Sequence, residues 1–253
     1  MSAKSSSETR HLNGIAMYVE RQGDGAPLLL LHGGGGVGQN WRLIFGEPPP
    51  GYELIIPDLR GHGRSTNPDG GITFRQLAAD TLSLMDALGI ERFKAIGLSL
   101  GAKTLLHIAS QQTTRVQAMA LVSAAPYFPE ATRAVMRAAA SQPHDESDLE
   151  RMRQWHRHGD DQIAAIWDMP RQLADDYEDL SFTPPRLGRI QARTMVVHGD
   201  RDFLYPVSLA VELHAGIPDS HLWIIPNGGH GPVFGDLAPL FARTALAFLN
   251  EWK

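Results

Sequence analysis

The spacing of apolar residues changes character repeatedly along the chain. Leu28-Leu29-Leu30-Leu31 is an unbroken aliphatic run, and Tyr52 to Pro57, Lys94 to Ile96, Ala118 to Val122, Arg193 to Val197 and His221 to Ile225 are similar short runs. Runs without polar alternation predict strands buried on both faces, as in a parallel sheet. Between them the period becomes helical. Leu77, Thr81, Leu84, Met85 and Leu88 follow a capping box at Thr73 to Gln76 and stop at Gly89. Leu105, Leu106, Ile108 and Ala109 follow the Lys94 strand, Pro206 opens a helix through Leu213, and Leu237 to Trp252 is amphipathic. Before all of these, His11 to Val19 reads as a hairpin turning on Asn13-Gly14. Strand and helix alternate, which predicts an α/β chain: a mostly parallel central sheet with helices on both faces.

The alternation fails between Pro126 and about Gly188. Strand-like runs vanish, and helical segments are predicted from Glu130 to Ala140, from a capping box at Ser147 to His156, from Gln162 to Asp168 and from Arg171 to Leu180. This predicts a core formed by residues 1–125 and 189–253, with residues 126–188 inserted as a helical lid. Tyr127, Phe128, Trp155, Trp167, Tyr177 and Phe182 are its candidate pocket-lining aromatics.

Composition narrows the function classes. The 253 residues suit one large domain, and the formal net charge of -5 offers no basic footprint for nucleic acid. There is no cysteine, so disulfides, thiolate metal sites and cysteine nucleophiles are excluded. His156 and His158 stand two apart on a predicted helix and do not face one another, so they make a poor metal pair. No apolar run is long enough to span a bilayer. The expectation is a cytoplasmic protein acting on a small molecule, with no membrane or nucleic-acid partner and no cofactor or metal.

The candidate chemistry lies where strands end. Gly97-Leu98-Ser99-Leu100-Gly101 joins a strand to a helix, and its glycines bracket Ser99 in a turn too sharp for side chains. His32-Gly33-Gly34-Gly35-Gly36 follows the Leu28 strand and offers bare N–H groups to a ligand. Asp58-Leu59-Arg60-Gly61-His62-Gly63-Arg64-Ser65 reads as a hydrogen-bonded structural loop, and Lys103 as a residue that snorkels or supports the site from behind. Asp200 and Asp202 follow the Arg193 strand, and His230 follows the His221 strand. A serine hydroxyl needs a base and the base needs a carboxylate to orient it. Ser99, His230 and Asp202 supply the three, with Asp202 preferred over Asp200 because it stands further along its loop.

Taken in order, these five motifs resemble the α/β-hydrolase fold superfamily, in its branch of lidded serine esterases and lipases. The resemblance covers nearly the whole chain. It implies that Ser99 is the nucleophile, Asp202 the acid and His230 the base, with Gly34 and Leu100 N–H groups as the oxyanion hole. One departure is Ala102, where many relatives carry a second glycine.

The leading expectation is hydrolysis of carboxylic esters through an acyl-enzyme. The same triad serves carbon–carbon hydrolases of vinylogous diketones, lactonases and acyltransferases, and the scaffold also serves ligand-binding receptors. The glycine loop suggests an open wall beside the oxyanion hole, tolerant of branched alcohols, and the lid a pocket for short or medium acyl chains.

Overall fold

The structure is a computed structural model and describes residues 5–250. A hairpin of β1 (Ser5–Leu12) and β2 (Ile15–Gly23) leads to β3 (Ala26–Leu31) and β4 (Tyr52–Pro57). Then come α1 (Phe74–Ala87), β5 (Phe93–Leu98), α2 (Leu100–Gln111) and β6 (Val116–Val122). Four helices follow: α3 (Glu130–Ala140), α4 (Glu146–Arg153), α5 (Asp160–Asp175) and α6 (Pro184–Leu187). The chain continues with β7 (Arg193–Gly199), α7 (Val207–Gly216), β8 (Ser220–Ile225) and α8 (Ala238–Asn250). The predicted end of the last helix at Trp252 lies outside the described residues.

Among the described residues the strands form one eight-stranded sheet in the order β1-β2-β4-β3-β5-β6-β7-β8. β1 and β2 pair antiparallel, β2 joins β4 antiparallel, and every remaining pair is parallel. The fold is therefore α/β with a mostly parallel sheet. Buried strands still alternate between two faces. Leu29 and Leu31 pack into the layer formed with α1, α2 and α7, whereas Leu28 and Leu30 pack with Trp41, Phe241 and Phe248 on the side of α8. This double burial explains why β3 needs apolar residues at consecutive positions.

The hairpin read at His11 to Val19 is present and longer than expected, and two local readings are corrected. β1 occupies a polar, serine-rich stretch that carries no strand pattern; it is an exposed edge strand, and backbone pairing with β2 builds it without apolar burial. α4 is capped by Asp145, whose side chain accepts from the Asp148 N–H, so the capping box stands two residues ahead of the predicted Ser147. α5 is one helix running through Pro170 instead of two helices broken near it. A mid-helix proline removes one backbone hydrogen bond, but buried Ile163, Ile166, Met169 and Leu173 hold a single apolar face across it. The segment between β6 and β7 is otherwise helical, with one isolated bridge between Tyr127 and Ser181. Among the described residues no helix is long and apolar enough to cross a membrane.

Candidate active site

β5 ends at Leu98 and α2 begins at Leu100, so Ser99 is the whole of the turn. Its backbone has φ 47° and ψ -101°, outside the regions that a serine ordinarily occupies. The surroundings enforce this. A Cβ on Gly97 would stand 2.7 Å from the Ala102 N, and one on Gly101 would stand 2.3 Å from the Leu31 carbonyl oxygen. Only glycine permits those approaches, and the strain holds Ser99 at the head of α2.

Two later loops reach it. Ser99 Oγ lies 2.9 Å from His230 Nε2, and His230 Nδ1 lies 2.8 Å from Asp202 Oδ2. With Nδ1–H donating to the carboxylate, Nε2 is left to accept the serine proton. Asp202 Oδ1 also accepts from the Leu204 and Tyr205 N–H groups, and its side chain is fully buried. Burial alone would raise this carboxyl, but the bonds from His230 and the two N–H groups outweigh it and hold Asp202 below the usual range. Asp200 is exposed and does not take part. Ser99, His230 and Asp202 are thus brought together as the sequence reading expected.

Among the described residues the N–H groups of Gly34 and Leu100 have no hydrogen-bond partner. Leu100 is free because it opens a helix. Gly34 is free because the glycine loop is held by its other residues. His62 Nε2 accepts from the Gly35 N–H at 3.2 Å, and its Nδ1 donates to the Arg60 carbonyl at 3.0 Å. His32 accepts from the Leu59 N–H and donates to the Gly33 carbonyl. His156 accepts from the Gly63 N–H and donates to the Gly35 carbonyl. Burial pulls the imidazoles of His32 and His62 down to about 4 and about 3, and His156 moves the same way. All three are neutral supports for the loop. Asp58 and the buried Arg60–Asp80 pair hold the Asp58 to Ser65 loop beneath it, as the structural reading of that motif expected.

The site opens into a cavity of about 440 Å³ lined by Phe128, Met136, Ile166, Trp167, Met169 and Leu173, among others. Of the six proposed aromatics, Phe128 and Trp167 line it; Tyr127, Trp155 and Tyr177 are exposed, and Phe182 packs on His107. The expected open wall beside Gly34 is filled: Met169 Cε would stand 2.8 Å from a Cβ there. A second apolar hollow, with Trp41, Leu43, Leu98 and Phe234, lies across the same glycine loop.

Lys103 departs furthest from expectation. It does not snorkel; it is 2% exposed, one helical turn beyond Ser99, and lines the cavity. Its Nζ donates to the Tyr205 hydroxyl at 2.9 Å and stands 3.5 Å from Ser99 Oγ. Burial pulls the amine down to about 7, against the opposing pull of the Asp202 charge. Tyr205, Met169 and His144 carried no sequence signal, because only folding brings them to the cavity.

The family profile described as alpha/beta hydrolase fold matches residues 26–182. The chain belongs to this family, and it is a hydrolase. It is 28% identical to 2-hydroxy-6-oxononadienedioate/2-hydroxy-6-oxononatrienedioate hydrolase 2 of Pseudomonas putida, across 94% of this chain and 92% of that one. Among solved structures it resembles a meta-cleavage product hydrolase of Pseudomonas fluorescens, with a TM-score of 0.79 at 22% identity, covering 97% of this chain and 98% of the other. It also resembles an enol-lactonase of Burkholderia xenovorans, with a TM-score of 0.76 at 22% identity, covering 96% and 100%. At these identities the two structures share the fold with this chain.

Proposed function

We propose that the protein is a serine hydrolase that cleaves a carbon–carbon bond next to a ketone in an unsaturated keto acid, by way of an acyl-enzyme. The observation that carries the chemistry is the relay from Asp202 through His230 to Ser99 at 2.8 and 2.9 Å, held on a strained turn. Ser99 Oγ attacks the carbonyl carbon as its proton passes to His230 Nε2. The Gly34 and Leu100 N–H groups receive the oxyanion. When the oxyanion collapses, the carbon–carbon bond breaks and its electron pair moves into the conjugated keto acid, where a proton from His230 neutralises it. Water then attacks the acyl-serine, His230 takes its proton, and the free acid leaves.

The choice of a carbon leaving group over an alkoxide rests on the near full-length similarity to the Pseudomonas putida hydrolase, whose name describes such a substrate. Ester hydrolysis is the second reading, because the same relay and the apolar cavity accommodate it equally. Helices α3 to α5 serve as the lid, since Met136, Met152, Ile166, Trp167 and Met169 from them wall the cavity. A cysteine-free chain suits a cytoplasmic setting. The test is to compare kcat/KM for ring-fission dienoates, followed by loss of their visible absorbance, with kcat/KM for p-nitrophenyl esters. Dienoate turnover at least tenfold more efficient supports the first reading; the reverse ranking returns the protein to the esterases.

A further inference from the structure

The cavity is apolar apart from His144, stacked on Trp167, and one polar cluster. In that cluster Ser99, Lys103, Tyr205 and His230 converge, and no aspartate or glutamate lines the cavity. Among the described residues no carboxylate lies in ion-pair contact with Lys103 Nζ. A lysine ammonium has three N–H donors. One meets the Tyr205 hydroxyl at 2.9 Å, a second has only a long approach of 3.5 Å to Ser99 Oγ, and a third has no partner. Aromatic faces surround the group: Nζ stands 4.6 Å from the Tyr205 ring centroid and 5.6 Å from those of Phe74 and Phe128. Ring faces favour a cation over a neutral amine, but they do not replace the water or the counter-ion that burial removes.

Tyr205 adds to the arrangement. Its hydroxyl oxygen accepts from Lys103, a side-chain hydrogen bond links the same hydroxyl to Ser99, and burial keeps the phenol protonated. A lysine N–H and a tyrosine O–H therefore stand side by side in the polar cluster of an apolar cavity, next to the reacting hydroxyl. A buried cation that lacks a protein anion is costly on its own and is completed by a ligand anion. Neither the serine attack nor the oxyanion pair requires it.

We infer that Lys103, together with the Tyr205 hydroxyl, is a specificity-determining seat for a substrate carboxylate carried on the part of the molecule that enters this cavity. The inference rests on the serine-hydrolase reading of Ser99, and it is independent of whether the bond cleaved is carbon–carbon or ester. It assigns to Lys103 the task of choosing acids over neutral molecules of the same shape. Apolar lining then fixes the chain of the substrate, and the seat fixes which end lies beside Ser99.

The experiment uses two p-nitrophenyl esters of matched length, the neutral pentanoate and the negatively charged glutarate half-ester, with the intact wild-type protein, Lys103→Met and Tyr205→Phe. Methionine fills a similar buried volume without charge, and circular dichroism and thermal melting check that the variant is folded. The quantity read is the ratio of kcat/KM for the charged ester to that for the neutral one. One charge-assisted hydrogen bond is worth about tenfold to a hundredfold. The ratio is expected to fall by about that factor in Lys103→Met, and by a smaller factor in Tyr205→Phe. A purely structural role for Lys103 would lower both rates together and leave the ratio unmoved, which would overturn the inference.

Calorimetric titration of wild type with hexanoate and with hexanamide reads the seat without turnover or mutation. Preferential binding of hexanoate supports the seat, and equal binding of the two overturns it. A dienoate arm separates the two readings. If dienoates are inert but the ester ratio collapses in Lys103→Met, the carbon–carbon reading fails and the seat stands. If dienoates are cleaved and Lys103→Met keeps both the dienoate rate and the ester ratio, the seat fails and the carbon–carbon reading stands.

Discussion

His156 joins the helical segment between β6 and β7 to the glycine loop: its Nε2 donates to the Gly35 carbonyl at 3.3 Å. The Gly35 N–H meanwhile donates to His62 Nε2 at 3.2 Å. One residue of the proposed oxyanion loop is therefore gripped from both sides by imidazoles that must stay neutral to accept their own N–H partners.

Acid should loosen this grip. The ordinary value of 6.5 is lowered to about 4 for His32 and about 3 for His62. Above pH 6.5 these imidazoles are neutral in folded and unfolded chains alike, and their hydrogen bonds are fully available. Below it the unfolded chain gains protons that the folded chain refuses. Stability should then fall as pH drops from 6.5 towards 4, by on the order of 1 kcal/mol per pH unit for each such histidine. Asp58, whose carboxyl is raised by burial, works in the opposite sense. Urea unfolding at pH 7.5, 5.5 and 4.5 measures the slope, and His62→Gln should flatten it while lowering stability at pH 7.5.

The two carboxylates after β7 should separate cleanly. Asp202 Oδ2 lies 2.8 Å from His230 Nδ1, and Asp200 is exposed. Asp202→Asn should cost on the order of 10³-fold or more in kcat, whereas Asp200→Asn should remain within a few-fold. Steady-state kinetics on purified, folded variants check this, and the opposite ranking would displace Asp202 from the relay.

Arg60 and Asp80 form a fully buried ion pair at 2.6 Å beneath the same loop, and Arg60 also donates to the Asn13 carbonyl. Removing one partner strands the other charge in the core. Asp80→Ala should destabilise the fold by about 3–5 kcal/mol, read from denaturant midpoints. A loss below about 1 kcal/mol would mean that water reaches the stranded arginine.

Lys103 should give the two matched esters different alkaline limbs. Its amine is pulled down to about 7, and the polar or charged groups that face it are Ser99, Tyr205, Asp202 and His230; Phe74 and Phe128 carry no charge. As pH rises through about 7, kcat/KM for the glutarate half-ester should fall while the pentanoate ester holds. Parallel profiles for the two esters would contradict this account of Lys103.

Much of this was legible in the chain. Doubly buried strands such as Leu28 to Leu31 announce themselves by composition, and the glycines around Ser99 announce a turn that nothing else fits. The three residues of the relay sit at strand ends, so their order alone suggested their meeting. What the sequence hid depends on contacts between distant segments. Lys103 looks like any helix lysine until Tyr205 and Phe128 close around it. The glycine loop looks open until Met169 covers it from α5. β1 has no apolar pattern because an edge strand needs only a backbone partner. Pro170 looks like a helix end, and packing on both sides of it carries the helix through.

The central claim is that Ser99 is the nucleophile, activated by His230 at 2.9 Å. The most direct measurement is mass spectrometry of the protein after reaction with a p-nitrophenyl phosphonate ester, followed by peptide mapping. The account predicts one adduct per chain, on the peptide carrying Ser99, and no adduct in Ser99→Ala. An adduct on another serine, or normal turnover by folded Ser99→Ala, would contradict it.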